Sequence, residues 1–270
     1  MARLTKWGKK PGGNWFSVVR AACNLYSVTS EPGIMRVESG GDTNGLFDQT
    51  VAFPRHMAHA LIWDFKNAYE INTTNVWTEV TSGSGTSLTV QDARGGVARI
   101  ANQASTNDAY YYYVSNYEPF AVSSGKHAWF FTTIKLADAT CDFFCGLCAK
   151  VSAANALFDA RVNSIGFYMT GGTTTDSVLY AECKKTSATQ TSTGFTLTDA
   201  TEACIGFHVV SNEKVLFFAG NSPKTLQFKC AIGSTYIPAT ELAIAFGVRN
   251  YGATAAQTLD ISSIKLLMDI

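Results

Sequence analysis

Three cysteines, Cys141-x3-Cys145-x2-Cys148, carry the spacing at which thiolates grip an iron–sulfur cluster in radical S-adenosylmethionine enzymes. Such a grip needs a loop on which all three sulfurs converge. Here the residues read Asp142-Phe143-Phe144-Cys145-Gly146-Leu147-Cys148, a strand-like run that sends Cys145 and Cys148 to opposite faces. These thiols are expected in a core. The seven cysteines (Cys23, Cys141, Cys145, Cys148, Cys183, Cys204 and Cys230) are odd in number and have no framework spacing, so no disulfides are expected. His56-x-x-His59 offers two imidazoles on one helical turn, but zinc takes three or four ligands and no acid or cysteine flanks the pair. Asp42-Thr43-Asn44-Gly45 opens like a calcium loop and then lacks the bidentate Glu that closes one.

Glycosidases built on β-sandwiches set two or three carboxylates along one strand. The strand-like stretches here hold Glu182 alone, with Asp142 and Asp260 near strand ends. No G-x-S-x-G elbow, P-loop or H-E-x-x-H occurs. The sequence therefore predicts a protein that is not an enzyme, with no cofactor and no metal. One cluster suggests binding instead. Arg3, Lys6, Lys9, Lys10 and Arg20 all precede Glu31, the first acidic residue, and Trp7 and Trp15 lie among glycines and a proline. Basic groups steer approach to an acidic surface and tryptophans anchor it, so Arg3, Lys6, Trp7, Lys9, Lys10 and Trp15 are the candidate contact residues.

Positioning such groups falls to short strands. From residue 62 the chain alternates aromatic and β-branched residues with breaks of Thr, Ser, Gly, Asn and Asp, the pattern of an antiparallel β-sandwich. Strands are expected over residues 76–81, 87–91, 97–102, 109–115, 127–137, 142–151, 164–170, 177–184, 204–211, 214–219, 225–230, 241–250 and 257–268. Ser211-Asn212-Glu213 reads as a tight hairpin. Tyr110 to Tyr113 places two rings on each face of a strand. Residues 51–65 are the best short helical candidate. Residues 1–61, with paired glycines and three prolines, read as an extended N-terminal arm; strand-like fragments at 15–20 and 34–38 leave open a strand pair within the sandwich.

Composition limits the partners. Of 270 residues 46% are hydrophobic, enough for a core, and 16% are charged, below the roughly 25% usual for soluble domains. Net charge is zero, which argues against direct nucleic-acid binding by bulk electrostatics. No run approaches the roughly 18 apolar residues of a membrane helix. The first residues lack the apolar stretch of a secretory leader, so synthesis in a cytoplasm is expected.

Several segments, taken in order, resemble virion structural proteins of tailed bacteriophages that carry a concanavalin A-like jelly-roll domain. They are Asn72-Thr73-Thr74-Asn75-Val76-Trp77-Thr78, Gly95-Gly96-Val97-Ala98-Arg99-Ile100, Asn107-Asp108-Ala109-Tyr110-Tyr111 and Gly125-Lys126-His127-Ala128-Trp129-Phe130-Phe131. Asp142-Phe143-Phe144-Cys145-Gly146-Leu147, residues 176–185, Ala245-Phe246-Gly247-Val248-Arg249-Asn250 and Ala256-Gln257-Thr258-Leu259-Asp260-Ile261 follow. The resemblance spans about residues 64–270. It implies an all-β, antiparallel two-layer jelly-roll sandwich preceded by the arm. It also implies a decoration or cement protein on the capsid exterior, made in the host cytoplasm, bound to the major capsid protein and trimeric by analogy. The alternative is a carbohydrate-binding, receptor-recognition module of a tail fibre or spike, with exposed rings stacking on a glycan. If the arm docks, deleting residues 1–20 is expected to leave the sandwich folded and to weaken co-sedimentation with capsids; undiminished attachment would reduce the arm to a frayed terminus.

Overall fold

The computed structural model describes residues 26–31, 34–39, 51–54, 58–63, 65, 76–82, 86–91, 96–105, 109–114, 120–171, 178–222, 225–250 and 256–269. Among them β1 (Tyr26–Glu31), β2 (Ile34–Ser39) and β3 (Val51–Pro54) form a small antiparallel sheet. Sheet I runs in the order β17 (Gln227–Gly233), β16 (Lys214–Gly220), β15 (Glu202–Val210), β10 (His127–Leu136), β19 (Thr258–Asp269), β7 (Val97–Ala101) and β6 (Thr86–Gln91). Strand β4 (Ala58–Trp63) also pairs with β19, on the stretch beyond β7. Sheet II runs in the order β14 (Ala188–Thr196), β13 (Val178–Lys185), β12 (Asn163–Met169), β11 (Asp142–Cys148), β18 (Glu241–Arg249), β8 (Ala109–Val114) and β5 (Trp77–Thr81). Strand β9 (Phe120–Ala121) extends the pairing on β18. All pairings are antiparallel, and the two curled sheets make the two-layer jelly roll that the strand series predicts.

The layers meet through rings. Phe130 stacks on Phe207 at 4.9 Å within sheet I, and Phe217 meets Phe167 of sheet II edge to face at 5.3 Å. Trp77 packs edge-on against Phe246, which stacks on Tyr112. Tyr112 is fully buried, yet its hydroxyl donates to Glu79 at 2.6 Å and accepts the Leu88 N–H at 2.8 Å. That second bond ties sheet II to β6 of sheet I across the core. Cys145 lies in this core, whereas Cys148 lies in a second cluster on the far side of sheet II, the opposite facing that period two requires. Burial raises the Cys145 pKa well above the usual thiol range and keeps it a small apolar filler.

Residues 51–65 differ from their helical expectation. Val51–Pro54 and Ala58–Trp63 are strands, because Pro54 interrupts any helix and the 58–63 run satisfies its backbone on β19. The residue 61/62 arm boundary falls inside β4. Strands also occur at β14 and β9, where none was read, and the segment between β11 and β12 contains a helix.

On the outer face of sheet I, Trp129 clusters with two histidines, stacked on His208 at 4.5 Å and on His127 at 5.8 Å. His127 Nδ1 and His208 Nε2 are 3.0 Å apart, a hydrogen bond that a neutral pair makes with one donor. Burial pushes His208 down from 6.5 to about 3, with His127 and Lys214 adding repulsion. The stabilising effect of this neutral histidine is complete above its unfolded pKa of 6.5 and is lost as pH falls toward about 3, because only the unfolded chain takes up the proton. At about pH 5 the loss amounts to roughly 2 kcal/mol. His208→Phe, which keeps a ring on Trp129, is expected to flatten the fall in Tm between about pH 7 and 5; an unchanged profile would assign that fall to other groups.

Candidate functional site

The outward face of sheet II divides into a covered half and an open half. Strand β11 is buried along all seven residues, so both of its faces need cover. The chain leaving β11 turns back over the sheet and forms a short helix, α1 (Ala154–Asp159), against β8, β11 and β18. Its buried Leu157 packs on Phe144, Cys148 and Ala245, with Val80, Val151, Phe158 and Tyr168 around them. No side chain caps the N-terminus of α1, and six residues are too few to hold a helix by propensity. Packing and arginine hold it.

Arg161 follows the helix and donates from Nη1 to the carbonyls of Leu157 (3.0 Å) and Phe158 (3.2 Å), capping its C-terminal end with a cation. Its Nε and Nη2 grip the Glu182 carboxylate at 2.7 and 3.0 Å, and Ser164 Oγ donates to the same carboxylate at 2.9 Å. The guanidinium lies over the rings of Phe144 and Tyr168, at 5.1 and 4.7 Å. Arg249 holds the same C-terminal end of the helix through its last residue, Asp159. It donates to Asp142 at 2.5 Å and bidentately to Asp159 at 2.6 and 2.7 Å, while Asp142 also accepts the Gly171 N–H. The hydrogen bonds from Arg249 lower the Asp159 pKa; burial raises that of Asp142, against the pull of Gly171 and Arg249. Every carboxylate in this group is hydrogen-bonded to an arginine, which gives it a structural task.

The open half lies on β12, β13 and β14. Tyr168 and Tyr180 sit directly opposite each other on neighbouring strands, ring centroids 5.5 Å apart and planes 29° from parallel. Both are half-buried. Burial, then the Glu182 charge, raises the Tyr168 pKa, so the phenol stays protonated; it is hydrogen-bonded with Thr191. The register places Glu182 beside Thr191 and Lys184 beside Thr189, and both threonines are exposed. The result is an aromatic pair bordered by hydroxyls and a fixed ion pair, on one face of one sheet. Such a face offers stacking for an apolar ring face and hydrogen bonds for its edges.

The expected contact residues Arg3, Lys6, Trp7, Lys9, Lys10 and Trp15 lie outside the described residues, as do Asp42-Thr43-Asn44-Gly45 and His56. His59 is in β4, opposite Met268. Of the tyrosine run, Tyr112 is a core residue. Among the described residues no group of three or more His, Cys, Asp and Glu could hold a metal ion. Sequence reasoning missed Arg161, Ser164, Tyr168, Tyr180 and Thr191. The signal existed in residues 178–185, where Leu179, Ala181 and Cys183 alternate inward with Tyr180, Glu182 and Lys184.

No protein-family model matches the sequence, and no curated protein matches it. Solved structures do. Peanut lectin bound to a nine-residue peptide is similar at TM-score 0.55 and 9% identity, covering 78% of this chain and 97% of that one. Winged bean acidic lectin complexed with methyl-α-D-galactose gives TM-score 0.54 at 10% identity, covering 78% and 98%. A protein of unknown function from Shewanella oneidensis MR-1 gives TM-score 0.53 at 13% identity, covering 79% and 87%. The fold is the legume-lectin, concanavalin A-like jelly roll. At such identities the likeness defines architecture and carries no site across.

Removing one partner of a buried ion pair strands the other. Arg161→Ala is expected to lower the unfolding free energy by about 3–5 kcal/mol, measured by urea denaturation. Arg161→Met combined with Glu182→Leu should recover most of that loss. A double variant as unstable as Arg161→Ala would trace the cost to the helix carbonyls instead.

Proposed function

We propose that the chain is a non-catalytic carbohydrate-binding module whose glycan lies on the open half of sheet II, one sugar face against Tyr180. The Tyr168–Tyr180 pair beside Thr189, Thr191 and the Glu182–Arg161 pair is the observation that carries this reading. A pyranose presents C–H groups on one face and hydroxyls around its rim, the complement of an aromatic pair with a polar border. The lectin architecture supports the same reading, since two proteins of this fold were solved with a sugar bound. In the virion setting implied by the sequence resemblance, such a module would serve receptor recognition on a tail fibre or spike. Capsid decoration through residues 1–20 rests on a segment outside the described residues.

One stacked ring contributes on the order of 0.5–1.5 kcal/mol, so a single site is expected to bind weakly and to gain strength by repetition on an oligomer. A glycan array should identify ligands, and calorimetry should give a Kd that rises about tenfold in Tyr180→Ala while Tyr180→Phe stays near wild type. The thermal midpoint should stay close to wild type in both. Absence of any glycan binding, or binding untouched by Tyr180→Ala, would reject the site.

A further inference from the structure

The outer face of sheet I is closed and mostly apolar, with Lys265, 6% exposed, over the Phe131 ring. Trp129, Phe131, Leu267 and Phe218 stand on it with 4, 6, 1 and 4% of their surfaces exposed, beside His208 and Cys204 at 1% each. Their register confirms the facing: Trp129 lies opposite His208 and Leu267, while the neighbouring Phe130 lies opposite Phe207 in the core. Cross-strand neighbours cover the flanks of a side chain standing on a sheet and leave its tip to whatever lies above. Exposures this small require a layer above.

The chain contains a matching layer. In the small sheet, the register puts positions 26, 28, 30, 35, 37, 39, 51 and 53 on one face, occupied in sequence by Tyr, Val, Ser, Met, Val, Ser, Val and Phe, with the two serines at strand ends. The opposite face carries the charged positions, with Ser27, Thr29, Glu31, Arg36 and Glu38 alongside Ile34, Ala52 and Pro54. A three-stranded sheet with one apolar face is stable only when that face is covered. The link to sheet I is short. Three residues separate Pro54 from Ala58, so β3 ends within about 14 Å of β4, and sheets stack about 10 Å apart. Ala58 pairs with Asp269, two residues from Leu267 on β19. The small sheet is thus delivered beside the face that needs a cover.

We propose that the β1–β3 sheet packs in cis on the outer face of sheet I as a third layer, against Trp129, Phe131, Leu267 and Phe218. That layer reserves sheet I for the chain's own N-terminal region and leaves the open half of sheet II as the face for a partner.

Cys204 is the probe, because it lies on the covered face beside Thr133, while Cys145 lies between the sheets. In the full-length protein, thiol labelling resolved by mass spectrometry should modify Cys204 at least about tenfold faster in Val37→Asp, which puts a charge on the apolar face of β2. Cys145 should stay protected, and Thr29→Asp, on the polar face, should match wild type. If Val37→Asp also exposes Cys145, the milder Val37→Thr is read in the same way. Equal Cys204 rates in the two faces' variants would overturn the proposal. So would Cys204 protection that rises with protein concentration alongside a dimer mass in light scattering, which would put a second copy on the face.

Discussion

A strand buried on both faces governs this molecule. Strand β11 is enclosed along its whole length, by sheet I on one side and by α1 on the other. A polypeptide that covers a sheet with six helical residues must satisfy the helix end inside an apolar environment. Arg161 answers that need with four hydrogen bonds, two to the helix carbonyls and two to Glu182. The floor beneath is made of small residues. Gly146 of β11 pairs with Gly166 of β12, and a Cβ at Gly146 would clash with the Ile165 carbonyl oxygen and lie 2.6 Å from the Gly166 Cα. Close strands and a low floor let the helix sit down on Phe144 and Ala245.

Covering one half leaves the other free. While α1 lies over β8, β11 and β18, the half-buried Tyr168 and Tyr180 and the exposed Thr189 and Thr191 on β12 to β14 stay in contact with solvent. The ion pair that ends the helix borders that face, so Glu182 and Arg161 belong both to the fold and to the candidate site. Buried pairs of this kind add little net stability over a well-packed apolar replacement. Their effect here is geometric. Arg161 lies over the Tyr168 ring, and Tyr168 in turn lies beside Tyr180, so the platform inherits the rigidity of the helix anchor.

The strands of the two main sheets were legible because burial on one face imposes period two, and thirteen expected ranges coincide with strands between β5 and β19. Strand β14 escaped because it is an edge strand rich in Thr and Ser with exposed positions, and edges lack the apolar alternation. Its hairpin turns on Thr186 at φ 57°, supported by the Asn163 carboxamide accepting the Thr186 N–H, so no Asn-Gly or Gly signal marks it. Helix α1 escaped for the opposite reason: its stability comes from tertiary contacts, and Ala-Asn-Ala-Leu-Phe-Asp carries no cap. The acids were visible and their arginines were not. Glu182 looks solitary in sequence, since its partner lies 21 residues away on a connection whose path only the folded sheet defines.

A held carboxylate beside a ring bears on the proposed glycan site in one further way. Both Glu182 oxygens are held by Arg161 and Ser164, so the carboxylate does not rotate to suit a guest. A group pre-organised like this loses little entropy on binding and strongly disfavours a ligand whose edge does not complement it. In the proposed glycan site, stacking on Tyr180 would tolerate many sugars, because many present a C–H face. Discrimination there would fall to the polar border, where Thr189 and Thr191 are exposed. The buried ion pair that first served the helix would act by holding the platform in place.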